Sequence, residues 1–85
     1  MQITYSARFE KQYRKLPDAI KELFEQKEDS FMANPFHDNL RTHKLKGALT
    51  GYYAFSLNNK YRAMFSFEND QCVRFHCIGT HDIYE

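Results

Sequence analysis

Tyr52-Tyr53-Ala54-Phe55-Ser56-Leu57-Asn58-Asn59-Lys60-Tyr61-Arg62-Ala63-Met64-Phe65-Ser66-Phe67 is the stretch that decides the fold. Aromatic and apolar residues dominate both halves, and Asn58-Asn59 sits between them. Aromatic side chains favour a pleated, half-buried surface. Asn tolerates positive φ, so the pair suits a tight hairpin turn. Strands are therefore expected over Tyr52 to Leu57 and Tyr61 to Phe67. Glu68-Asn69-Asp70 turns the chain again, and Cys72 to Ile78 reads as a last strand. This half is an antiparallel meander.

Working back toward the N-terminus, Gln2 to Tyr5 alternates polar and apolar and reads as a short strand. Ser6 follows as an N-cap, because its hydroxyl can accept from the free amides of a first helical turn. Phe9, Tyr13 and Leu16 lie at i, i+4 and i+7, one face of a helix. Pro17 ends that helix and suits the first position of the next. Ile20, Leu23, Phe24, Phe31 and Met32 form the apolar stripe of the second helix, and Glu22, Glu25, Lys27, Glu28 and Asp29 its wet side. Asn34-Pro35 stops it. Phe36 to Thr50 has no period and reads as a long loop, a kind of segment often used for function. The order β-α-α-β-β-β implies an α+β fold, with a helical hairpin on one face of a small, mainly antiparallel sheet.

Eighty-five residues make one domain, residues 1–85. An apolar fraction of 42% with eight Phe and six Tyr suffices for one core. No apolar run approaches the ~20 residues a membrane span needs, so no membrane association is expected. Cys72 and Cys77 are five apart, which on a regular strand puts them on opposite faces and argues against a disulfide. Unpaired cysteines fit a reducing cytoplasm. The net charge is only +1, but its distribution carries more than the sum. Arg41, Lys44 and Lys46 fall in six residues that contain no acid.

His43 lies inside that basic run and His81 near the C-terminus. An imidazole titrates near pH ~6.5 when unperturbed, so it can take or give a proton at neutral pH. Together the two segments offer an acid–base pair and a phosphate clamp, the equipment to cut RNA without a metal. Arg62 interrupts an apolar strand. It is either an exposed strand arginine or a guanidinium aimed at a phosphate, which it can grip with two donors. His37 and His76 have plain readings, in a loop and on the solvent face of the last strand. The spacing of the four histidines is no metal-site signature. Tyr84 suits either base stacking or docking of the C-terminus on the core.

The whole chain resembles the RelE/ParE superfamily of bacterial type II toxins. The resemblance lies in Ser6-Ala7-Arg8-Phe9, Leu16-Pro17, Leu45-Lys46-Gly47 and Tyr61-Arg62. His43 and Gly79-Thr80-His81 are similar to the YafQ-like branch. The resemblance implies a sheet of four or five strands on two helices and a cognate antitoxin that wraps the chain. It also implies cleavage of messenger RNA on the ribosome, with contact to DNA only indirectly through an antitoxin complex. No cofactor or metal is implied. The ribose 2′-hydroxyl would attack the adjacent phosphorus to leave a 2′,3′-cyclic phosphate. His81 would be the general acid, His43 the base, and Arg62 with Lys44 and Lys46 the stabilisers of charge. Arg41 and Tyr84 would help bind substrate. The YafQ-like pattern has a further histidine and an acid where this chain has Ser56 and Lys60, whereas Arg62 matches the RelE and YoeB branches. Two rival readings follow: a ParE-like inhibitor of DNA gyrase that cuts nothing, and an inactive chain that only binds an antitoxin.

Overall fold

The computed structural model describes residues 1–84. Strand β1, Gln2–Tyr5, leads into α1, Ala7–Arg14, and α2, Asp18–Ala33. A two-residue strand β2, His43–Lys44, follows, then β3, Tyr53–Ser56, β4, Arg62–Asn69, and β5, Cys72–Gly79. The five strands run in the order β1-β5-β4-β3-β2. β1 is parallel to β5, and every other pairing is antiparallel. The expected α+β architecture is therefore present, a helical hairpin on a mainly antiparallel sheet.

The period-two pattern of β4 sorts its residues between two faces. Ala63, Phe65 and Phe67 lie on the helix side, and Arg62, Met64 and Ser66 on the other, called here the open face. The helix side holds the main core, where Phe9, Phe24 and Phe31 meet Phe55, Phe65 and Phe75. Phe31 is fully buried, and its ring lies 5.5, 4.9 and 5.3 Å from those of Phe55, Phe65 and Phe75. A smaller cluster, Met64, Cys77 and Ile83, occupies the open face with Leu45, Leu49, Tyr52 and Tyr84 against it.

Several sequence expectations change in detail. The segment from Phe36 to Thr50 is not all loop. It contains β2 and two 3₁₀ turns, Asp38–Leu40 and Gly47–Leu49. A strand of two residues is too short to show a period. Pro17 is the N-cap of α2 and not its first residue. Met32 is largely exposed, outside the apolar stripe. The β3–β4 turn uses no positive φ at Asn58 or Asn59. Instead the Asn58 side-chain oxygen accepts from the amides of Lys60 and Tyr61, at 2.9 and 2.8 Å, which opens the turn wider. Ser6 caps α1 as expected, its hydroxyl accepting from the Phe9 amide at 2.9 Å.

The pairing of β4 with β5 slips between Met64 and Phe65: Met64 faces Cys77, Phe65 faces Phe75, and His76 is the extra residue of a β-bulge. The bulge puts His76 and Cys77 in succession on the open face. It also cancels the odd spacing of the cysteines, so Cys72 falls on the same face as Cys77, contrary to the opposite-face expectation. Both thiols are free. Five residues of strand hold them roughly 17 Å apart, beyond disulfide reach.

Phe31→Ala removes the ring at the centre of the aromatic core. Urea titration should show a loss of about 3–5 kcal/mol, a large part of the roughly 5–15 kcal/mol of a typical domain. An unchanged midpoint would contradict the core described here.

Candidate functional site

The open face is where the chemistry-bearing residues collect. Arg62 opens β4 and pairs with Ser56 of β3 on one side and Gly79 of β5 on the other. Its Nε is buried and has no hydrogen-bond partner. An unpaired buried donor is costly, and in a native fold it asks for an explanation. The Tyr84 hydroxyl is buried and unpartnered in the same way.

Beyond Gly79 the chain turns back over this face as a 3₁₀ turn, His81–Tyr84. Ile83 is buried against Met64 and Cys77 and anchors the turn. The approach is close: a Cβ added at Gly79 would sit 2.9 Å from Ile83 Cγ2, so glycine is what lets the turn fold down. The Arg8 guanidinium reaches the Ile83 carbonyl at 3.4 Å. His81 is exposed at the start of the turn, its ring 5.3 Å from Tyr84 and edge-on. Tyr84 itself is half-buried against the open-face cluster. Of its two sequence readings, docking the C-terminus is the one its packing matches.

His43 lies on the edge strand β2 and pairs with Ala54, which pairs in turn with Met64. It therefore shares the open face with Arg62. Two strand spacings and one side-chain repeat separate their Cα atoms by roughly 12 Å, a gap two long side chains can close on a bound group. His43 Nδ1 lies 3.1 Å from the Arg41 carbonyl. A carbonyl only accepts, so Nδ1 carries the proton of this contact and Nε2 keeps its lone pair. Arg41 supplies that carbonyl from a left-handed conformation, φ 53°, at the end of the first 3₁₀ turn, and its side chain is exposed.

Lys44 is not brought to this group. It pairs with Tyr53, whose ring stacks on Phe65 in the helix-side core, so register puts Lys44 on the opposite face from His43. Lys46 is exposed at the N-cap of the 3₁₀ turn Gly47–Leu49. The structure thus gathers His43, Arg62 and His81 on one side, leaves Arg41 and Lys46 at the edge, and turns Lys44 away. Among the described residues no three His, Cys, Asp or Glu side chains come together as a metal site.

A second polar constellation was not legible in the sequence. His76 Nε2 is 2.7 Å from Ser66 Oγ, and that hydroxyl donates to Glu68 at 3.5 Å. The Tyr52 ring meets the imidazole edge-on at 5.0 Å. His76 is half-buried, not a free solvent-face residue, because the Tyr52 ring packs against it. Period-two reasoning cannot see a bulge. Burial pushes its pKa down, with Arg74 adding to the fall and Glu68 opposing it.

The helix side has a cleft of its own, with Arg14 among its carboxylates. This cleft, of about 400 Å³ between β1, α1 and α2, is lined by Tyr5, Phe9, Tyr13, Glu10, Glu25 and Glu28, among others. The Tyr5 hydroxyl donates to the Glu28 carboxylate, and burial pushes the Glu28 pKa up.

His76 should leave a pH signature. Its folded pKa lies below the unfolded value of ~6.5. The unfolded chain binds the proton more tightly, so this contribution is present above pH ~6.5 and is lost as pH falls toward the folded pKa. Glu28, with its raised pKa, acts in the opposite sense at lower pH. Denaturant titrations at pH 7.5 and 5.5 should show wild type losing more stability on acidification than His76→Gln. Equal losses would mean that His76 is not held neutral.

No protein-family model and no curated protein matches the sequence. Solved structures do. A YoeB/ParE toxin from Agrobacterium tumefaciens superposes with a TM-score of 0.81 at 16% identity, covering 95% of this chain and 99% of its own. YafQ from E. coli gives 0.81 at 20% identity, covering 98% and 96%. An archaeal RelE, in a RelE–RelB complex from Pyrococcus horikoshii, gives 0.75 at 21%, covering 93% and 92%. The match spans nearly the whole of each chain, helices and sheet together. The polypeptide has the RelE/ParE-superfamily toxin fold.

Proposed function

We propose that the protein is the toxin of a toxin–antitoxin pair and acts as a metal-independent endoribonuclease on messenger RNA, on the ribosome and in the cytoplasm. The observation that carries this reading is the buried, unpartnered Nε of Arg62. It is a cationic donor without an acceptor, on the face that also holds His43 and His81. The Nε is shielded from solvent, so a phosphodiester would pair with the half-buried guanidinium through its outer nitrogens and supply the missing charge.

With a phosphate at Arg62, the reaction divides between the two histidines. The Nε2 lone pair of His43 takes the proton of the ribose 2′-hydroxyl. The 2′-oxygen then bonds to phosphorus, and the bond from phosphorus to the 5′-oxygen breaks. His81, protonated beforehand, gives its proton to that leaving oxygen. The products are a 2′,3′-cyclic phosphate and a free 5′-hydroxyl. Arg62 holds the extra negative charge of the phosphorane, and stabilisation of this kind is often the largest single contribution to a rate. The Arg41 carbonyl acts as a positioning group, since it sets the tautomer of His43. A protein partner is part of the reading as well. Structures with this fold include a YoeB–YefM complex from Staphylococcus aureus and the archaeal RelE–RelB complex. A cognate antitoxin is accordingly proposed here.

His81→Gln should slow single-turnover cleavage about 10²–10⁴-fold, the usual worth of a general acid, while RNA binding falls little. Unimpaired cleavage would remove His81 from the mechanism. Mapping of cut ends on messenger RNA incubated with the purified protein, with and without ribosomes, tests the activity itself. Intact RNA combined with inhibition of DNA gyrase would replace this reading by the gyrase-poison one.

The two lysines should separate. Lys46→Ala should weaken RNA binding and make it less salt-sensitive, because one phosphate contact is lost. Lys44→Ala, on the other face, should change the salt slope less. Binding measured across a salt series decides between them, and a larger effect at Lys44 would contradict the register of β2.

A further inference from the structure

We infer that the cavity beside His76 is a nucleobase subsite, which takes the base of a nucleotide flanking the phosphate held at Arg62. The inference rests on the RNA-cleaving reading for its substrate, but the cavity is a separate feature of the open face. It is an open depression of about 360 Å³, lined by Ser6, Arg8, Leu49, Tyr52, Met64, His76 and Cys77. That volume lies within the range of small-ligand sites.

Its chemistry matches a base. Met64, Leu49 and Cys77 give an apolar surface, and the Tyr52 ring an aromatic one, suited to the face of a planar heterocycle. The edge of such a ring needs hydrogen-bonding groups. The Ser6 hydroxyl is already committed, since it donates to the His76 carbonyl and accepts from the Phe9 amide. His76 and Arg8 remain. The chain of donors His76 Nε2–H to Ser66 Oγ, then Ser66 hydroxyl to Glu68, leaves His76 Nδ1 as an acceptor. Arg8 has one long bond, to the Ile83 carbonyl, and spare donors. The site thus offers one acceptor and several donors around an apolar slot.

Position and charge support the same occupant. Met64 pairs with Cys77, and Arg62 with Gly79. The cavity floor is therefore one side-chain repeat along β4 from Arg62, roughly 7 Å, close enough for the base next to a phosphate held there. Arg8, Arg62 and Arg74 lie on this side of the sheet, and the nearby Glu68 carboxylate is engaged by the Ser66 hydroxyl. A covalent role for the thiol has no support, because burial pushes the Cys77 pKa up and keeps the group protonated.

Two measurements test this. In the first, AMP, GMP, CMP and UMP are titrated into the full chain, with inorganic phosphate as control, while NMR follows the Met64 methyl and the His76 and His81 rings. The nucleotides should shift Met64 and His76, and phosphate alone should not. Equal effects of phosphate and nucleotides on Met64 and His76 would overturn the subsite. In the second, single-turnover cleavage is compared for short RNAs with and without a base beside the cut. Removing the base should slow wild type about tenfold or more, the usual worth of one stacked base. His76→Gln and Arg8→Ala should shrink that ratio. An undiminished ratio in both variants would also overturn the proposal. Nucleotide shifts at Met64 and His76 without any RNA cleavage would leave the subsite standing and remove the nuclease reading instead.

Discussion

One hydroxyl ties the fold together. The Ser6 amide donates to the Phe75 carbonyl at 2.9 Å, and its side chain donates to the His76 carbonyl while accepting from Phe9 in α1. β1 stops pairing at Tyr5, opposite Phe75, so the outer edge of β5 beyond that point would otherwise present bare peptide groups. Ser6 covers the first of them, and the Gln12 side chain accepts from the Ile78 amide at 2.9 Å. The first helix therefore replaces the missing end of a strand. Buried backbone groups must find partners, and this constraint fixes where α1 lies on the sheet.

The remaining layout follows from that placement. With α1 held at the β5 edge, Phe9 enters the core beside Phe24 and Phe75, and the helical hairpin covers one face only. Arg8, one residue before Phe9, then points across the edge toward the C-terminal turn and bonds to Ile83. The same short segment thus closes the core on one side and borders the candidate site on the other. The bulge at His76 begins where Ser6 grips the strand. A regular β5 would put His76 and Cys77 on different faces.

Much of this was written in the residue pattern. The alternation in Gln2 to Tyr5, the Ser6 cap, the i, i+4 spacing of Phe9 and Tyr13, and the aromatic runs around Asn58-Asn59 each depend on near neighbours, and each was readable. The apolar flanks of Arg62 singled it out, as either an exposed strand arginine or a phosphate ligand. What could not be read depends on pairing between distant segments. β2 exists only because His43 and Lys44 find β3. The facing of Lys44, one residue from His43, follows from that register. The His76 bulge is visible only against β4. For the same reason the site was legible as a set of residue types and not as a geometry.

The strict two-face division of β4 has a genetic consequence. Ala63 and Phe65 face the aromatic core and are fully buried, whereas Arg62 and Ser66, their neighbours in sequence, face the open side. Substitutions at these four positions will sort into two phenotypes that follow the face. At Ala63 and Phe65 the chain will fail to accumulate in cells. At Arg62 and Ser66 it will accumulate as folded protein, whereas Met64, buried in the open-face cluster, behaves like its core neighbours.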